Sequence, residues 1–259
     1  MNLLLTILKN KEAEIEEKKR TIQKPSFPRQ RPGKGAFFST FKNSGRIKLI
    51  AEIKRKSPSA GVICKDFDPL SIADEYVKGG ASAISILTDE KFFGGSPEIL
   101  RLVKSKFPST PILYKDFVID KCQIYEAYNA GADAVLLIAA MLTDEKLEEF
   151  IQLCNSYGLD PLVEVHDEGE LERALRCGAY IVGVNNRDLR TFTVDINVSL
   201  RLSDLIPEGV VKISESGIKD PHQVKLLEAK GFNGLLIGQA FMESENRSEL
   251  LRKMRLGEN

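Results

Sequence analysis

Four times the chain passes from a glycine straight into a short apolar run: Gly80-Ala81-Ser82-Ala83-Ile84, Gly131-Ala132-Asp133-Ala134-Val135, Gly178-Ala179-Tyr180-Ile181-Val182 and Gly231-Phe232-Asn233-Gly234-Leu235, at spacings of 51, 47 and 53 residues. A glycine that ends a helix and hands the chain to a buried strand marks a repeated strand and helix unit. Between these runs lie four more, near residues 48–53, 111–115, 161–165 and 210–214, so eight strands are predicted. Caps predict the helices between them. Asp68-Pro69 opens one to residue 79, Ser96-Pro97 one to 106, Asp120 one to 130, Thr143 one to 157, Asp167 one to 177 and Asp220-Pro221 one to 230. Near-continuous apolar strands joined by crossover helices require a parallel sheet covered on its outer face. Eight such units close into a single (β/α)8 barrel, with a doubly wound open sheet as the alternative.

At 259 residues the whole chain, 1–259, fits one such domain. Residues 1–45 precede the first strand and read as an added arm: an amphipathic charged helix, then Pro25, Pro28, Pro32, Gly33 and Gly35. The formal net charge is zero, yet residues 1–46 hold 11 Lys and Arg against 4 Glu. Glu12, Glu14, Glu16 and Glu17 interrupt that basic arm and the body carries no nucleic-acid motif, so a nucleic-acid partner is not expected. Cys64, Cys122, Cys154 and Cys177 are scattered without metal-ligand spacing, as expected of reduced, buried thiols in a cytoplasmic protein. The apolar start, Met1 to Leu8, is too short for a signal peptide or a membrane span.

In barrels of this kind the reactive groups stand at the C-terminal ends of the strands. Here those ends are charged. Glu52 and Lys54 follow one another on one face of the first strand, Lys115 ends the third, Glu164 the fifth, Asn185 the sixth and Glu215 the seventh. Three carboxylates and two amines converging on one mouth shift each other's proton affinity, the condition for general acid and general base chemistry. Alternation turns Asp116 away from Lys115, and Asp188 lies beyond its strand, so capping or packing is expected of both. His166 stands just beyond Glu164 at the rim, and His222 belongs to a helix start.

Ser214-Glu215-Ser216-Gly217-Ile218 after the seventh strand and Ile237-Gly238-Gln239-Ala240 after the eighth occupy the two positions where such barrels hold phosphate on backbone N–H groups. A sugar phosphate is the expected substrate class. Phe92 and Phe93, with Phe117, offer walls for a flat apolar group. No GxGxxG, Walker A, HExxH or GxSxG motif is present to suggest nucleotide, zinc or serine-hydrolase chemistry.

Together, Ile50-Ala51-Glu52-Ile53-Lys54-Arg55-Lys56-Ser57-Pro58-Ser59, Leu87 to Ser96, Tyr114-Lys115-Asp116-Phe117, Val163-Glu164-Val165-His166, Gly183 to Leu189 and Ser214 to Ile218 resemble the indole-3-glycerol phosphate synthase family over essentially the whole chain. The resemblance implies ring closure, decarboxylation and dehydration of 1-(2-carboxyphenylamino)-1-deoxyribulose 5-phosphate in tryptophan biosynthesis, with no cofactor and no metal. It implies Lys115 as general acid, Glu164 as general base, Lys54 as a second acid or an anchor for the substrate carboxylate, and Glu52 and Glu215 as groups that hold the lysines and the ribulose hydroxyls. Asn185, Arg187 and Ser57 would contact substrate, Phe93 and Phe117 would flank its ring, and Ser216, Gly217, Gly238 and Gln239 would gather around the phosphate. Gln239, His166 and Asn186 occupy positions expected to vary in the family. The arm, residues 1–45, resembles an extension that packs over the barrel mouth. A monomer or weak homo-oligomer is expected. The alternatives are another sugar-phosphate barrel enzyme such as phosphoribosylanthranilate isomerase, which needs a Cys and Asp pair at strand ends, and a non-catalytic barrel used for binding.

Overall fold

The computed structural model describes residues 3–26, 34–42, 45–188 and 191–258. Pro28, Pro32 and Gly33 of the arm, and Leu189, lie outside the described residues. Eight parallel strands form one closed ring: β1 (Lys48–Ile53), β2 (Ala83–Leu87), β3 (Ile112–Lys115), β4 (Ala134–Ile138), β5 (Asp160–Val165), β6 (Ile181–Asn185), β7 (Val211–Glu215) and β8 (Gly234–Ile237). Closure is direct. Ala51 of β1 stands opposite Ile84 of β2 on one side and Ile237 of β8 on the other. The ring rules out the open sheet.

The four repeat glycines are explained by backbone geometry. Gly80, Gly131, Gly178 and Gly231 have φ of 90°, 99°, 89° and 77°, a left-handed turn at the handover from helix to strand that glycine enters without steric cost. The helices start where their caps place them. The Asp68, Ser96, Asp120, Thr143, Asp167 and Asp220 side chains accept from first-turn N–H groups of α3 (Pro69–Gly79), α4 (Pro97–Lys106), α5 (Lys121–Ala130), α6 (Asp144–Ser156), α7 (Glu168–Arg176) and α9 (Pro221–Ala229). The short α8 (Asn197–Leu202) and α10 (Gln239–Glu243), with α11 (Arg247–Leu256), complete the outer layer.

Strand alternation builds two cores. Leu49, Ala51, Ile84, Tyr114, Val163 and Leu235 face the helices, whereas Ile50, Leu113, Leu136, Leu162, Ile213 and Leu236 fill the barrel interior. Continued toward the C-terminal ends, the inward parity runs from Ile50 to Glu52, Leu113 to Lys115, Leu162 to Glu164 and Ile213 to Glu215. Packing that aims the aliphatic layer inward therefore aims the charged layer inward too.

The arm divides between the two ends of the barrel. α1 (Leu3–Lys18) lies at the mouth, where Lys11 forms ion pairs with Asp89 at 2.9 Å and Asp116 at 2.8 Å just past β2 and β3. α2 (Ala36–Lys42) lies at the opposite end, correcting the expectation that the whole arm covers the mouth. Its Phe37, Phe38 and Phe41 are buried in the interior core, and Gly35 and Phe38 donate their N–H groups to Asp160, the first residue of β5, at 2.7 and 2.8 Å. A phenylalanine triplet matches the apolar floor of the barrel, whereas the rim is charged. Among the described residues no helix is long and apolar enough to cross a membrane.

Candidate active site

Lys115 ends β3 with its ammonium at the centre of the mouth. Nζ donates to Glu215 Oε2 at 3.0 Å and stands 3.8 Å from Glu164 Oε2 and 3.9 Å from Glu52 Oε2. Lys54, one residue past β1, donates to the other Glu52 oxygen at 2.6 Å. The convergence of Glu52, Lys54, Lys115, Glu164 and Glu215 expected from strand ends is thus present: all but Glu215 line a cavity of about 990 Å³, together with Asn185, Arg187, Phe93, Phe117 and Ser57, and Glu215 meets it through Lys115. Glycines make room for the carboxylates: a Cβ on Gly183 would lie 2.3 Å from Glu215 Oε1, and one on Gly238 would lie 2.2 Å from Glu52 Oε1.

Burial and mutual charge set the proton affinities. Burial works against a charged Lys115, but Glu215, Glu164 and Glu52 outweigh it and hold the ammonium well above its usual range. Burial likewise opposes ionised Glu52, yet Lys54 and Lys115 hold its carboxyl below the usual value. Glu215 goes the other way. Burial pushes it up to about 7, with Glu164 and Glu52 adding to the shift and Lys115 opposing it. Such a cluster can give a proton to one substrate atom and take one from another.

The flanking walls differ in character. The Phe93 and Phe117 rings stand 5.9 Å apart, tilted by 42°. Arg187 donates from Nη1 to the Phe192 carbonyl and from its backbone N–H to Asn185 Oδ1; burial draws the guanidinium below its ordinary value, against the pull of Glu52. Across the mouth, Ser216 and Gly217 take φ of 66° and 79°, a left-handed pair that turns the chain after β7 around the cavity. Asn186, expected to vary, holds that turn by donating to the Glu215 and Ser216 carbonyls at 3.0 Å each. Gly238 and Gln239 also line the cavity, but the Gln239 side-chain amide is turned to Glu243 at 2.8 Å.

Two sets of contacts at the rim go beyond a reading of strand ends. Lys11, 1% exposed, ties α1 to Asp89 and Asp116 and pairs with Glu14 on its own helix, and Ile7 of the same helix lines the cavity. Asp116 is thus the packing residue expected, and its partner lies 105 positions upstream, where no spacing rule reaches. His166 Nε2 stands 3.4 Å from Glu164 Oε1, while Nδ1 is 3.0 Å from Glu170 Oε2. All four cysteines are free and buried and none lines the cavity, so the Cys and Asp pair of the isomerase alternative has no counterpart here. Among the described residues no group of three or more His, Cys, Asp or Glu is arranged to hold a metal ion.

A model of the indole-3-glycerol phosphate synthase family matches residues 4–254. The chain belongs to that family. A relative of that name from Acetivibrio thermocellus is 50% identical over 219 residues, 85% of this chain and 84% of the relative. Relatives of the same name from Chloroherpeton thalassium and Chlorobaculum tepidum are 47% and 45% identical over 95% of this chain and 96% and 97% of theirs. Among solved structures, a 3-hexulose-6-phosphate synthase superposes with a TM-score of 0.67 at 16% identity, covering 82% of this chain and 100% of that one. At that identity the likeness carries the barrel fold alone. Membership of the synthase family makes the chain a carbon–carbon lyase of tryptophan biosynthesis.

Proposed function

We propose that Lys115 is the general acid and Glu164 the general base in the conversion of 1-(2-carboxyphenylamino)-1-deoxyribulose 5-phosphate to indole-3-glycerol phosphate, carbon dioxide and water. The observation that supports this most strongly is one ammonium within 4 Å of carboxylates from three other strands, in the wall of a cavity wide enough for a drug-sized ligand. Ring closure makes a bond from the carboxylate-bearing ring carbon to the ketone carbon, and Lys115 gives its proton to the ketone oxygen. Loss of carbon dioxide restores the ring electrons. The new hydroxyl then takes a proton and leaves as water, and Glu164 removes the carbon-bound proton that stands in the way of aromaticity.

The remaining residues bind and orient. Lys54 serves as a second acid or pairs with the substrate carboxylate, and Glu52 and Glu215 hold the lysines and the ribulose hydroxyls. Asn185, Arg187 and Ser57 contact the substrate, and Phe93 and Phe117 flank its ring. Ser216, Gly217, Gly238 and the backbone N–H of Gln239 receive the phosphate; engagement of the Gln239 side chain by Glu243 supports a main-chain role there. A cytoplasmic location, with the small sugar phosphate as the partner, completes the reading.

Lys115→Ala tests it. Turnover should fall by roughly 100 to 10,000 fold with KM changed only a few fold, followed by indole emission, which the Trp-free chain does not obscure. Glu164→Gln should behave alike. Wild-type turnover in either variant would strip that residue of its role.

A further inference from the structure

Among the described residues three buried polar atoms in the mouth have no hydrogen-bond partner, Glu164 Oε1, His166 Nε2 and Glu215 Oε1, and the first two face each other at 3.4 Å. Orphaned polar atoms inside a protein are costly and rare, and two that face one another call for a shared proton. The two residues sit two apart across the end of β5, so they share a face. Asp167 caps α7 and accepts from the Glu170 N–H, which fixes Glu170 in the first turn. One Glu170 oxygen then meets both the His166 backbone N–H, at 2.8 Å, and ring Nδ1, at 3.0 Å.

A carboxylate at Nδ1 requires Nδ1 to carry hydrogen. In a neutral ring the Nε2 lone pair would then point at the Glu164 carboxylate, lone pair against anion. A proton on Nε2 removes the conflict and satisfies both orphans. Burial opposes the resulting charge, but the Glu170 hydrogen bond and the field of Glu164, with a smaller part from Glu215, outweigh it and raise the ring above its ordinary value. On the far side Lys115 faces Glu164 and Glu215 at 3.8 and 3.0 Å.

Resting on the assignment of Glu164 as the base, we infer that His166 is its positioning residue: an imidazolium held by Glu170 that clamps Oε1, favours the ionised carboxylate, and leaves Oε2 as the oxygen that takes the proton. The crowding of three carboxylates around Lys115 makes such a cation necessary, because Glu52 and Glu215 both disfavour a further negative charge beside them. Oε2, the oxygen left unclamped, is the one that faces Lys115 and the cavity.

The test uses the intact enzyme. In His166→Gln the acid limb of the turnover profile should move to higher pH by about one unit, a loss that approaches tenfold on the acid side of the limb and is recovered on its alkaline side, with KM changed less than about threefold. Glu170→Gln should move the limb the same way by a smaller amount. His166 and His222 are the only histidines, so proton NMR of the wild-type protein reads the ring directly: His166 should titrate above the free-histidine range and drop toward it in Glu164→Gln. An unchanged profile, a loss equal at every pH, or a ring titration indifferent to Glu164→Gln would each overturn the inference. Wild-type turnover in Glu164→Gln would instead remove the base assignment while the NMR contact stood, so the two failures are distinct.

Discussion

Glu215 titrates near 7 in the folded protein against an ordinary value of 4.5, and burial is the main cause. Between those values the native state holds a proton that the unfolded chain has released, so stability falls as pH rises through this window and stays reduced above it. Glu215→Gln, which mimics the protonated acid, should match the wild-type protein below pH 4.5 and gain on it steadily up to pH 7, by about 3 kcal/mol. Its turnover should fall, because Lys115 loses the carboxylate that fixes it. Thermal midpoints of both proteins at pH 4.5, 6 and 7.5 check the first claim; a gap that does not widen with pH contradicts it. Gly183 belongs to the same bargain, since only a residue without Cβ leaves space for Glu215 Oε1.

At the level of elements, α1 is held to the rim by a buried cation. Lys11→Met would leave Asp89 and Asp116 facing each other without it, at a cost of about 3 to 5 kcal/mol. Ile7 would withdraw from the cavity wall with the loosened helix, so KM should rise while the rate at saturation changes little. Amide hydrogen exchange would report the loosening directly, and full retention of α1 protection in the variant would show that the ion pairs do not tether it. This tether also marks how far the sequence could be read. Helix starts at Pro69, Pro97 and Pro221 were legible because caps act over three or four residues, and the inward parity of Glu52, Lys115, Glu164 and Glu215 followed from a period of two. The pairing of Lys11 with Asp116 and the docking of α2 on Asp160 rest on contacts across more than 100 positions, which local rules do not reach. The His166 and Glu170 contact was closer in sequence yet hidden, because it crosses a strand-to-helix junction where neither period applies.

For the whole molecule, stability and chemistry occupy opposite ends. Phe37, Phe38 and Phe41 stop the floor of the barrel, and the charged layer lines its mouth, with the aliphatic layers between. Phe41→Ala should therefore lower stability by about 3 to 5 kcal/mol and leave turnover near wild type at temperatures well below unfolding; a large fall in turnover in a folded variant would show that the ends communicate. The ring of strands has another effect. Every barrel strand is paired on both sides, and among the described residues the only other strand pairing beyond an isolated bridge is the short hairpin Lys56–Ser57 with Gly61–Val62. A barrel with no free border gives neighbouring molecules nothing to zip onto except that two-residue hairpin, too short to template a growing sheet, and a crowded solution is spared the commonest route to aggregation.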